Sequence, residues 1–149
     1  DAYYGCLYSW KVVNDKRGLA PEGWRIPSNS DLIELSKFLE RDATKMKSKF
    51  GWQESNLVPS QSALNDSMQF TARPSGMIHS NGNFDYFGTS AYFWLSDYSI
   101  PLSQKRKVRL KPKRIVNTAS SFRLLHFTKK IGFYRSKMSW GLSVRCIKF

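Results

Sequence analysis

The sequence predicts a single α+β domain with an antiparallel sheet. Three observations carry this: one clearly capped amphipathic helix near residue 30, a turn-dense middle, and alternating strand-like segments late in the chain. The 149 residues include 15% aromatics, enough to bury a core and too many for a disordered chain. Residues 1–149 show no repeat, linker or low-complexity tract, and so read as one domain.

In order along the chain, Tyr3 to Val13 reads as a strand, and Asn14 to Gly18 as a turn. Gly23 to Pro27 is a short extended piece that proline stops. Ser28 can cap a helix, and Asp31 three residues on completes a capping-box pattern. Leu32, Leu35, Phe38 and Leu39 follow on one helical face. A shorter helix is expected from about Ala43 to Lys49. Between Leu57 and Gly88, Pro59, Asn65, Pro74, Gly76 and Asn81-Gly82 mark ordered loops and short strands. Ala91–Leu95, Val108–Lys111, Phe122–Leu124 and Leu142–Ile147 read as strands, the last closing the chain. Trp10, Trp24 and Trp52 are expected in the core, and Trp140 with them.

Charge divides the chain. Residues 1–74 carry ten Lys/Arg and nine Asp/Glu, whereas residues 75–149 carry fourteen and two. Nearly all of the net +13 therefore lies in the second half, which points to an anionic partner or an acidic neighbouring subunit. The densest cluster runs from Lys105 to Arg114. Read as a strand, it places Arg109, Lys111 and Lys113 on one face, able to contact an acidic glycan or nucleic acid. It lacks interleaved base-stacking aromatics, and a solvated or partner-docked hairpin is the structural alternative.

Enzyme signatures are missing. The two histidines, His79 and His126, lie in different regions, and no P-loop, dinucleotide glycine motif or zinc-protease motif occurs. No apolar run approaches the ~18 residues of a membrane helix. Asn81, Asn83 and Asp85 alternate like calcium ligands, but one carboxylate in three is a poor charge count, and a polar turn around Gly82 is the simpler reading. No metal or other cofactor is expected. Cys6 and Cys146 are either a disulfide, worth roughly 5 kcal/mol at most for so long a loop, or two small apolar thiols.

Several blocks carry a family resemblance. Tyr4-Gly5-Cys6-Leu7-Tyr8-Ser9-Trp10, Gly18 to Ser28 (GLAPEGWRIPS), Ala63 to Ser67 with Phe70 to Gly76 (FTARPSG), Phe93-Trp94-Leu95-Ser96 and Gly141 to Ile147 (GLSVRCI) occur in that order. Together they resemble the Fibrobacter succinogenes major paralogous domain. The resemblance implies a C-type-lectin-like fold, shared with formylglycine-generating enzymes and retroelement-diversified variable proteins. Such a fold would have two helices, a twisted antiparallel sheet, long ordered loops and paired terminal strands. It also implies an exported or lipoprotein-anchored surface protein of Bacteroidetes-like bacteria, held through a segment upstream of this chain, with binding as its role. In diversified relatives the ligand face lies just before the closing strand. By that similarity the contact residues here are Trp94, Ser96, Thr128, Lys129, Arg135, Ser136, Lys137, Met138 and Ser139.

The expectation is thus a non-enzymatic binding module that turns a basic loop and strand face toward a protein partner, adhesin-like or as an accessory subunit of a surface complex. Polyanion binding through Lys105–Arg114 is the alternative. A degenerate formylglycine-generating-enzyme relative is a third reading.

Overall fold

The computed structural model describes residues 3–56, 64, 66–98 and 117–149. The Val108–Lys111 strand and the whole Lys105–Arg114 ribbon, with Arg109, Lys111 and Lys113, lie outside the described residues. The described chain is α+β. Its elements are β1 (Tyr8–Ser9), α1 (Trp10–Val13), β2 (Trp24–Arg25), α2 (Asn29–Phe38), a 3-10 turn (Ala43–Met46), β3 (Met77–Ile78), β4 (Phe84–Asp85), β5 (Ser90–Trp94), β6 (Thr118–Leu125), β7 (Gly132–Lys137), β8 (Gly141–Leu142) and β9 (Ile147–Lys148).

The capping box at Ser28 forms. Its hydroxyl accepts from the Asp31 amide at 3.3 Å, while Asp31 accepts from the Ser28 amide at 2.6 Å. Asp31 also takes a forked pair of hydrogen bonds from Arg25 at 2.6 and 2.7 Å, which ties α2 to β2. Leu32 and Leu39 are buried and Leu35 half-buried, as the helical spacing predicts. Phe38 is instead 68% exposed, because it lies one position off that stripe at the helix end.

β5, β6 and β7 form the central antiparallel sheet. Every residue of β5 is buried, because both faces of the strand are covered. Alternation sends Ala91, Phe93 and Leu95 into one core with Leu32, Leu39, Trp52, Phe122 and Leu124. It sends Tyr92 and Trp94 into a second core with Trp10, Met77 and Leu142. Phe93 and Phe122 stack across the strand pair with centroids 4.9 Å apart.

Three local expectations change. The opening run is not one strand: only Tyr8–Ser9 pairs, and Trp10 then starts a helical turn that buries its ring against Trp94. The closing run is not one strand either. β8 joins β1 and β3 in one sheet, whereas β9 pairs with β2 in another. Trp24 is 43% exposed rather than core, since β2 and β9 form a two-stranded ribbon that places it opposite Lys148. β7, for its part, is a strand in a segment with no clean alternation.

Candidate functional site

β3 and β4 form a hairpin whose tip is a polar turn from His79 to Asn83. The His79 amide donates to the Asn83 carbonyl at 2.8 Å, and the Asn83 amide donates to the Asn81 side chain at 3.1 Å. Gly82 takes the left-handed conformation that such a turn requires. Ile78 pairs with Gly141, where a Cβ would come within 2.3 Å of the Ile78 side chain. This close approach seats the hairpin tip against the β7–β8 turn.

The junction is a shallow depression of about 570 Å³, with His79, Asn81, Asp85, Lys137 and Trp140 in its lining. His79 Nε2 lies 2.7 Å from Asp85 Oδ2 and meets the edge of Trp140 with ring centroids 5.0 Å apart. Lys137 Nζ lies 5.8 Å over the same indole. Trp140 is half-buried and lines this depression, at the margin of the second core rather than within it. Asp85 is committed to His79 and Asn81 to the turn. Among the described residues, no group of three His, Cys, Asp or Glu side chains is placed to hold a metal ion.

The structure divides the expected contact residues. Lys137 and Ser139 are exposed and Met138 half-buried, all on the β7–β8 turn. Ser96 is exposed at the same end of the sheet, because the Asp97 carbonyl receives the Ser120 amide early in β6. Thr128 and Lys129 sit at the opposite end, beyond β7, a strand roughly 20 Å long. There the Thr128 carbonyl accepts from Lys47 and the Lys129 carbonyl from the Ala43 amide, so these residues close the sheet against the 3-10 turn. Trp94 and Ser136, expected at the contact face, are instead fully buried and present no surface there. The Trp94 indole donates to the Tyr8 carbonyl at 2.7 Å, and the Ser136 hydroxyl pairs with Ser121 at 2.9 Å. Arg135 is half-buried and turned back onto Thr118 at 2.9 Å, where burial lowers its pKa.

A second feature lies where three of the sequence blocks meet. The opening segment, residues 69–73 and residues 143–145 enclose an open cleft of about 490 Å³. Tyr3, Tyr4, Tyr8, Arg73 and Arg145 supply its large side chains. Tyr8, Cys6 and Cys146 lie close together here. Burial pushes the Tyr8 phenol up, and a hydrogen bond with Cys6 and the proximity of both thiols add to this. The Cys6–Cys146 bridge is not formed: Cys6 is an exposed free thiol that engages Tyr8, and Cys146 is a half-buried free thiol. Burial raises the Cys146 pKa against the opposing influence of Arg145, which keeps the thiol protonated near neutrality.

His79, Trp140, Arg73 and the three tyrosines escape sequence reasoning as site residues. The Asn81-Gly82 turn was the available signal for the first two, since it marks a tip beside the last strands. For the cleft the signal was that Tyr4, Tyr8, Arg73 and Arg145 all fall inside the family blocks.

Among the described residues no helix is long and apolar enough to cross a membrane. A family model described as the Fibrobacter succinogenes major domain matches residues 1–148. No curated protein and no solved structure matches the chain.

Proposed function

The chain belongs to the Fibrobacter succinogenes major domain family, and from that premise we propose a non-enzymatic binding module on a C-type-lectin-like scaffold, acting outside the cell or at its surface. The pairing of β1 with β8 and of β2 with β9 supports the scaffold reading, because it joins both ends of the chain around the central sheet. The proposed contact face is the end of the sheet formed by Ser96, the β3–β4 tip and the β7–β8 turn, and its partner is a protein.

One observation carries this reading. At that end the described residues combine exposed Lys137 and Ser139 with exposed Phe84 and half-buried Trp140, all on hydrogen-bonded strands and turns. Aromatic and cationic side chains on a rigid support are the composition of contact surfaces, because they supply area at low entropic cost. Tyr98 and Asn117 belong to the same end. Tyr98 accepts from Asn14 and packs on Trp10, and the Asn117 carbonyl accepts from the Met138 amide. The exposed Lys137 ammonium on this face favours a partner with an acidic surface.

The test compares two charge-reversed proteins purified from the native source. Lys137→Glu with Ser139→Glu should lose a copurifying subunit that Lys129→Glu with Lys130→Glu retains. Equal retention by both, or a clean monomer with the unaltered chain, overturns the proposal.

A further inference from the structure

The cleft that the opening segment forms with residues 69–73 and 143–145 stands apart from the proposed contact face, and its chemistry is different. Two guanidinium groups, Arg73 and Arg145, line it, and no carboxylate is among its lining residues. Ion pairs among the described residues involve Arg17, Arg25, Lys45 and His79, and neither cleft arginine is included. The nearby Asp66 has both oxygens on Thr71, at 2.7 Å to the amide and 2.7 Å to the hydroxyl.

Both arginines are held in place. Arg73 lies over the Tyr3 ring at 3.8 Å, and Tyr3 in turn packs on Tyr4 at 4.9 Å. Stacking uses the face of a guanidinium and leaves its edge donors open. Arg145 spends one terminal nitrogen on the Phe70 and Thr71 carbonyls, at 2.7 and 3.3 Å. Its other donors have no acceptor among the described residues. Two fixed, like-charged forks without an ion-pair partner among the described residues form a receptor for an anion, and a planar carboxylate matches their geometry.

The walls narrow the ligand further. Tyr3, Tyr4 and Tyr8 bring aromatic side chains to the lining, while Gln69, Thr71 and Ser143 bring polar ones. We infer that the cleft binds an acidic sugar, a hexuronate unit whose carboxylate lies on Arg73 and Arg145 and whose ring lies along the tyrosines. An acidic peptide side chain would use the arginines but would leave the tyrosine walls without a complementary ring. The volume, about 490 Å³, lies within the range of small-ligand sites.

Calorimetric titration of the whole chain at physiological salt tests this with four probes: a galacturonate disaccharide, the neutral galactose disaccharide, inorganic sulfate and an acetylated Glu-Tyr dipeptide. The galacturonate should bind at least about tenfold more tightly than the neutral sugar. Arg73→Gln should weaken it by about tenfold or more, with Arg73→Lys in between, because lysine keeps the charge and loses the fork. Arg73 is the decisive position, since Arg145 also pins residues 70–71 and its loss would disturb the fold. Lys130→Glu, exposed and on neither surface, should leave uronate binding unchanged. Equal binding of acidic and neutral sugars, or an Arg73→Gln effect within twofold, overturns the inference. Tighter binding of the dipeptide refutes the sugar in favour of a peptide, and sulfate competing at equal strength refutes it in favour of a simple anion.

Discussion

Replacing Lys47 with methionine should expose a balance that shifts with pH. Lys47 is fully buried, and its ammonium donates to the Leu125 and Thr128 carbonyls at 2.8 and 2.9 Å, with Trp52 5.0 Å away. Burial brings its pKa down from 10.5 to about 8, against a smaller opposing pull from Asp42. Methionine fills similar space but orphans two carbonyls, at about 1–3 kcal/mol each. It also removes the cost of burying a charge, at most about 3 kcal/mol near neutrality for a shift of this size. With that relief in full, the variant should lie between about 1 kcal/mol more stable and about 3 kcal/mol less stable than the parent at pH 7. Between pH 8 and 10.5 the folded parent gives up its proton while the unfolded chain keeps it. The unfolded state then binds more protons, and the parent gains stability as pH rises. The gap between parent and Lys47→Met should therefore widen by up to about 3 kcal/mol from pH 7 to pH 10.5. Urea unfolding at pH 7, 9 and 10 reads this difference, in which other titrating groups cancel. A gap that stays constant or narrows would refute the reasoning, as would a variant more stable than the parent at pH 10.

Further predictions concern the supports of the two sites. Asp31→Asn should destabilise by about 1–3 kcal/mol in thermal or chemical melts, since it loses a capping interaction and a forked pair with Arg25. Arg25 holds the Asp31 carboxyl well below its usual pKa. That contribution is present above the unfolded value of 3.8 and should fade as pH falls below it, which an acid titration of stability would follow. Gly76→Ala should cost more than about 2 kcal/mol, because a Cβ there would sit 2.1 Å from the Asp85 carbonyl oxygen and the backbone is left-handed. Its melting point should drop far more than that of Gly82→Ala, where no neighbour lies within 4 Å. Ser136→Ala should cost about 1–2 kcal/mol by stranding the buried Ser121 hydroxyl, and adding Ser121→Ala should cost less than the two single losses combined.

What the sequence made legible followed local rules. Ser28 and Asp31 announce α2 because a capping box acts within four residues, and Ala91–Leu95 and Phe122–Leu124 read as strands because strand signals are local too. What stayed hidden depended on contacts far along the chain. Trp10 looks like part of a strand, yet its ring is drawn into a core with Trp94 and the backbone turns with it. Leu142 to Ile147 alternates well, but pairing with β1 and β3 on one side and β2 on the other divides it. Ser136 and Lys137 are neighbours on one strand, and only the sheet decides that the first is buried and the second exposed. The depression at His79 and Trp140 was partly legible, as a polar turn and as a segment before the last strand. Their meeting depends on Gly141 lying against Ile78. The Lys105–Arg114 cluster, the sharpest feature of the sequence, lies outside the described residues.

The double role of the closing segment bears on how the molecule folds. Residues 141–148 complete both the four-stranded and the two-stranded sheet, with partners from Tyr8–Ser9 and Trp24–Arg25 far earlier in the chain. Closing loops of that length is paid for in entropy before the contacts reward it. High contact order of this kind slows folding, and during synthesis β1 and β2 emerge from the ribosome long before their partners exist. Their edges stay open until residues 141–148 are made, so a chain stopped short of residue 141 would expose two unpaired strand edges at once. Such edges are templates for aggregation.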